Sequence, residues 1–172
     1  MKIQLLKFKS VNSTNDIAIR RIKNGKTKPA LIITDIQKKG RGQYGRKWIS
    51  YKGNIFLSIY FTVKKNISQK SMTKKIYQTL KKSLNSFVNE KITIKSPNDL
   101  LIKGNKVCGI LQETIIYKND KFFIVGVGVN LCKSPNIGSK KISHLQKYSS
   151  NKLKKSEIYK NIKKNFEKFI II

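Results

Sequence analysis

Nine consecutive residues carry the densest chemistry in the chain: Gly40-Arg41-Gly42-Gln43-Tyr44-Gly45-Arg46-Lys47-Trp48. Glycines at spacings of two and three leave a backbone free to take positive φ and to approach a ligand closely. The arginines and lysine between them can grip phosphate oxygens, arginine as a planar two-pronged donor. Trp48 closes the stretch with a large flat face. The chain has 38 Lys+Arg, of which only Arg20, Arg21, Arg41 and Arg46 are arginine, and two of these four fall here. Random placement would put about 0.2 of an arginine in such a window. A chain that writes lysine nearly everywhere has kept arginine where a point charge cannot replace a fork. The plain alternative is a basic hairpin loop on a very basic protein.

Strands and helices must deliver these residues. Ile3 to Phe8 reads as a short strand. Ser13-Thr14-Asn15-Asp16 opens a helix, with Ser13 as cap and Asp16 as its acidic partner. Ile17, Ala18 and Ile22 follow at helical spacing, and Asn24-Gly25 ends it. Taken alone, Ser13, Thr14 and Asn15 are explained by that cap. Ala30 to Gln37 is a strand feeding the glycine-rich loop, with Asp35 and Gln37 at its loop end. Asn54 to Val63 is a long apolar run that reads as a buried strand. Ser68 to Val88 reads as a helix with Met72, Ile76, Leu80, Leu84, Phe87 and Val88 on one face.

Ile92 to Lys95 is a strand stopped by the turn Ser96-Pro97-Asn98-Asp99. Leu100 to Lys103, Val107 to Tyr117 and Phe122 to Leu131 are further strands, joined by tight turns at 103–106 and 118–120. The last carries Gly126 and Gly128 on one face, left bare either for a ligand or for packing. Ile158, Ile162, Phe166, Phe169 and Ile170 trace a final amphipathic helix, with Ser156 as its cap. His144, in a polar linker, is expected to face solvent.

At 172 residues the chain is long enough for one domain with its own core. The formal charge of +30 suits a polyanion partner, but the basic residues are spread along the whole chain. That spread favours a compositional origin, since lysine, asparagine and isoleucine are abundant together. Cys108 and Cys132 lie in apolar runs without metal-ligand or CxxC spacing, so no metal or disulfide is expected. With no signal peptide, this points to a reducing cytoplasm. No apolar run approaches a membrane span.

GRGQYGRKW, then KSPNDLLIKGNKVCGIL, then GVGVN, after an STN near the first helix, resembles the catalytic domain of biotin–protein ligases. The resemblance runs from about residue 3 to residue 131. It implies an α+β fold, a mixed sheet flanked by helices similar to class II aminoacyl-tRNA synthetases. The activity it implies is formation of biotinyl-5′-adenylate from biotin and Mg-ATP, then transfer of biotin to a lysine of a biotin carboxyl carrier protein. By motif, Ser13, Thr14, Asn15 and Gln37 would meet the ureido ring of biotin. Arg41, Gly42 and Gln43 would close over biotin and its acyl phosphate. Lys95 would sit by the carboxylate and, with Arg41, do the catalysis. Gly40, Arg46, Trp48 and Asn130 would hold ATP or the adenylate. Ligation of lipoate or octanoate on the same fold is the nearest alternative, and a basic nucleic-acid-binding protein the alternative of another class.

The sequence departs from the family pattern at three places. Ser96 stands where the family usually has tryptophan, Gln43 where it usually has arginine, and Cys108 where it has a small residue. Residues 1–172 are read as one catalytic domain with no preceding helix-turn-helix and no β-barrel cap after Phe169 and the final isoleucines. Specific DNA binding is therefore not expected, no membrane partner is expected, and a homodimer is compatible with the sequence.

Overall fold

The computed structural model describes residues 2–63 and 67–170; Ile171 and Ile172 of the final isoleucine run lie outside the described residues. Among the described residues one sheet of seven strands forms the centre: β1 (Gln4–Val11), β2 (Ala30–Gln37), β3 (Ile55–Thr62), β4 (Ile92–Lys95), β5 (Asp99–Ile102), β6 (Asn105–Tyr117) and β7 (Asp120–Val129). Their order across the sheet is β1-β2-β3-β7-β6-β5-β4. Only β1 and β2 run parallel, and that pair requires a crossover, supplied by helix α1 (Thr14–Lys23). The other pairs are antiparallel. Tight turns at Lys103-Gly104 and Lys118-Asn119 take positive φ throughout, the geometry that matches strand twist in two-residue hairpins.

The period of two along each strand divides the core between the sheet's faces. On one face, Leu31, Ile33, Leu57, Ile59, Phe123 and Val125 pack under α2 (Gln69–Asn85) and α3 (Lys155–Ile170). On the other, Ala18 and Ile22 of α1 cover Ala30, Ile32, Tyr60, Phe122 and Ile124. The α1 cap forms as its residue types predict: Ser13 Oγ accepts from Asp16 N, and Asn24 ends the helix.

Four expectations are corrected. Helix α2 stops at Asn85, so Phe87 and Val88 join the core from the turn after it rather than from its face. Helix α3 begins at Lys155, where the Lys154 carbonyl takes the first helical N–H groups, and Ser156 lies inside the first turn. Asp35 points not toward the glycine-rich loop but to Lys155, whose Nζ lies 2.8 Å away. His144 is half-buried: burial, then the nearby Lys147 charge, lower its pKa, and its Nδ1 has no partner among the described residues.

Cys108 is fully buried, and burial pushes its thiol up to about 12, so it behaves as a small apolar residue. No helix of the described residues is long and apolar enough to cross a membrane.

Glu167 of α3 locks the chain start to its end by accepting from Ile3 N at 2.8 Å and from Lys163. Partial burial raises its pKa, but those bonds outweigh it, and the net shift is downward. A depressed carboxylate stabilises the fold above its ordinary value, about 4.3, and that contribution is lost as pH falls through the folded value. Glu167→Ala should therefore cost about 1 kcal/mol at neutral pH. The difference from the parent should shrink as pH falls below the ordinary carboxylate value and vanish only below the lowered value of the folded protein, which melts taken down an acid series would show. A difference that persists in acid would point to packing instead.

Candidate active site

A cavity of about 580 Å³ opens on the α1 side of the sheet. Register explains why it is there. Beyond α1, one cross-strand row reads Ser58, Gly126 and Leu111, and the next reads Phe56, Gly128 and Gly109. The glycines strip that face of side chains, and two residues from elsewhere fill the space. Asn15 sits on Gly126, where an added Cβ would lie 2.5 Å from its Oδ1. The Trp48 indole lies across Gly109 and Gly128, at 2.5 and 2.4 Å from their added Cβ positions. Packing thus accounts for the bare face. Trp48 Nε1 is buried with no partner among the described residues, and Lys106 Nζ stands 5.3 Å from the ring centre.

The first turn of α1 and the end of β2 form a polar wall. Gln37 Oε1 accepts from Thr14 N at 2.9 Å and lies 3.1 Å from Thr14 Oγ1. That fixes the amide orientation and leaves Gln37 Nε2 beside Gly40 without a protein partner among the described residues. Ser58 Oγ lies 2.7 Å from Thr14 Oγ1 and bonds Asn15 Oδ1. Asn15 Nδ2 donates to Glu113 Oε2 at 2.6 Å. Ser13, Thr14, Asn15 and Ser58 are all buried, so the wall presents ordered polar groups rather than water-averaged ones.

The glycine-rich stretch folds as a small hairpin over this wall. Trp48 N donates to Gly40 O at 2.9 Å, and Gly42 N donates to Arg46 O at 2.6 Å. Its tip takes left-handed backbone at Tyr44 and Gly45, with φ of 55° and 71°. Gly40 does not line the cavity; a Cβ there would meet the Trp48 carbonyl oxygen at 2.8 Å, so glycine is required for hairpin closure. Arg41 donates to Glu113 Oε1 at 3.2 Å and to Asp16 Oδ1. Burial lowers its pKa, but Glu113 and Asp16 more than offset this, and the net shift is upward.

Lys95 ends β4 directly across the hairpin from Asp99. Asp99 is engaged instead by Lys106, Nζ to Oδ1 at 2.7 Å, and no carboxylate pairs with Lys95 among the described residues. The cavity therefore combines a neutral polar wall with cations at Lys95, Arg46 and Lys47. Gly42, Gln43, Trp48 and Asn130 also line it. Asn130 Nδ2 donates to Ser143 O at 3.1 Å, tying down the segment that borders the cavity.

Sequence reading missed Ser58, Glu113 and Lys106, took Asp16 only as a capping partner, and placed Asp99 in the turn after Lys95 without its pairing to Lys106. A signal existed: Ser58 is the one non-aromatic polar residue between Ile55 and Phe61. Three of the chain's eight acidic residues, Asp16, Asp99 and Glu113, each form an ion pair with a cation lining the cavity.

Such a sheet, with its helices and a glycine-rich hairpin over a polar cavity, is the class II aminoacyl-tRNA synthetase-like fold of biotin and lipoate ligases. The model of the biotin/lipoate A/B protein ligase family matches residues 7–130, and the chain belongs to that family. It is 30% identical over 124 residues to the bifunctional ligase/repressor BirA of Escherichia coli, covering 70% of this chain and 38% of BirA. It is 32% identical over 150 residues to the chloroplastic biotin–protein ligase 1 of Arabidopsis thaliana, covering 81% of this chain and 40% of that protein. The chain thus spans about two fifths of the length of these relatives. The structure of the Aquifex aeolicus biotin protein ligase in complex with biotin and ATP superposes with a TM-score of 0.81 at 24% identity, covering 98% of this chain and 70% of that one.

Proposed function

We propose that the chain forms biotinyl-5′-adenylate from biotin and Mg-ATP and passes the biotinyl group to a lysine of a carrier-protein domain. One observation carries this reading: a single cavity has buried neutral hydrogen-bonding groups on one wall and, on another, a lysine that pairs with no carboxylate among the described residues. A ureido ring is neutral and needs both donors and acceptors, which Ser13, Thr14, Asn15 and Gln37 offer. A lipoyl or octanoyl chain has no donor or acceptor to place against this wall and would leave Gln37 Nε2 without a partner, at a cost of about 1–3 kcal/mol.

In the first step a biotin carboxylate oxygen attacks the α-phosphorus, and the bond from that phosphorus to pyrophosphate breaks. Two anions meet, so catalysis consists mainly of positioning and charge stabilisation. Lys95 serves the carboxylate and the bridging oxygen, since a compact ammonium can follow the moving charge. Arg41 and Gly42 cover the acyl phosphate, with Gln43 at the rim. Arg46, Trp48 and Asn130 border the nucleotide, and magnesium enters with it. Closing the hairpin keeps water from the mixed anhydride. In the second step the carrier lysine amine attacks the acyl carbon and AMP leaves.

The test is biotin-dependent exchange of labelled pyrophosphate into ATP, which requires the first step alone. Exchange with biotin is the expected result. Exchange with lipoate or octanoate but not biotin would overturn the assignment. Salt-dependent polyanion binding without any response to biotin or ATP would favour a nucleic-acid-binding protein.

A further inference from the structure

The chemistry above gives Glu113 no task, yet its carboxylate bonds the side chains of both Asn15 in the polar wall and Arg41 in the hairpin. Oε2 takes Asn15 Nδ2 at 2.6 Å, and Oε1 takes Arg41 Nη1 at 3.2 Å. We infer that Glu113 is a positioning residue that joins the ureido-binding wall to the hairpin arginine, so that biotin seated at one end aligns Arg41 at the other. This role rests on the biotin reading.

The hydrogen-bond inventory explains why an ionised acid is needed. Asn15 Oδ1 can only accept, and it is engaged by the Ser58 hydroxyl. Its Nδ2 must therefore face Glu113, because flipping the amide would set acceptor against acceptor. Arg41 has only donors. Two donors thus approach two separate oxygens of one group. A glutamine at 113 would satisfy one of them and point its own NH₂ at the other.

The anchor is also rigid. Glu113 projects from the middle of β6, paired with Ile124 of β7, rather than from a loop. Asp16, one residue after Asn15, holds the second arm of Arg41. The guanidinium is thereby referenced to the sheet and to α1 at once, although it belongs to a hairpin. With its side chain only 26% exposed, and in a chain with eight acidic residues, Glu113 is not a solvated surface acid.

The test is Glu113→Gln, with three readouts and a melting curve. In pyrophosphate exchange kcat should fall about 10- to 100-fold, the worth of one charge-assisted hydrogen bond. The calorimetric biotin Kd should change by less than about threefold, because the shorter Asn15 contact is the one a glutamine oxygen retains. Ligand-free trypsin cleavage after Arg41 and Arg46 should speed up several-fold as the hairpin loses its anchor. Glu113→Asp keeps the charge but is too short to span both donors; it should give the same split and serves if the glutamine variant does not fold. Unchanged kcat and cleavage would overturn the inference. So would a parallel fall of kcat, biotin affinity and Tm, which would mark Glu113 as merely structural. If the parent protein neither binds biotin nor exchanges pyrophosphate, the biotin reading fails. The cleavage arm still decides then: faster cutting supports the tether, and equal cutting overturns it.

Discussion

Lys95→Ala should abolish adenylate formation, lowering biotin-dependent pyrophosphate exchange by about 10²–10³-fold, while biotin still binds measurably. The reason lies in what surrounds Lys95. It borders the cavity from the end of β4, and the carboxylate that register sets across from it, Asp99, is engaged by Lys106. No internal partner neutralises its charge among the described residues, so that charge is available to an incoming anion. The charge matters most when negative charge concentrates between carboxylate and α-phosphate, and least for a neutral ureido ring held at another wall. The loss should therefore appear in kcat more than in biotin affinity. Exchange kinetics alongside calorimetry separate the two. A variant that turns over at the parent rate would make Lys95 one more surface lysine.

Gly128→Ala should move the Trp48 indole and lower exchange about tenfold or more. Residue 128 sits in a strand and has no left-handed φ, so alanine fits the backbone and the sheet is spared. The effect falls on the ring, because the added carbon would lie 2.4 Å from Trp48 Cε2 and 2.5 Å from Cζ2. Such overpacking typically costs about 1–3 kcal/mol. The indole relieves it by leaving its seat and carrying the end of the hairpin with it, since Trp48 N is bonded to Gly40 O. Trp48 is the chain's only tryptophan, so its fluorescence reports this site alone. A red-shifted emission maximum together with reduced exchange is expected. An unshifted spectrum with full activity would show that the seat is not needed.

Much of this protein is legible from residue order because the signals are local. The Ser13 cap, the Asn24-Gly25 stop, the apolar period of α2 and the tight turns at 103–106 and 118–120 depend on neighbours a few residues apart. Strand β2 was bounded correctly for the same reason. The glycine-rich stretch, the STN segment and the KSPND turn were recognisable because each is contiguous. Misreadings came where a distant element decided the outcome. Phe87 and Val88 continue the α2 pattern but lie past its end, Asp35 is drawn away by Lys155 of α3, and His144 is half-buried by a segment folding back beside Leu131. The bare face at Gly126 and Gly128 had two open readings until register set Gly109 beside Gly128 and brought Asn15 and Trp48 onto it. Ser58 and Glu113 stayed hidden in apolar strands. What makes them part of the site is a set of hydrogen bonds to residues 43, 44, 72 and 98 positions away in the chain. Local order thus determined the elements and the contiguous motifs. Only strand pairing determined which charges are paired, which stay open and which side chains share the cavity, because hydrogen bonds and ion pairs act over a few ångströms of space whatever their separation in sequence.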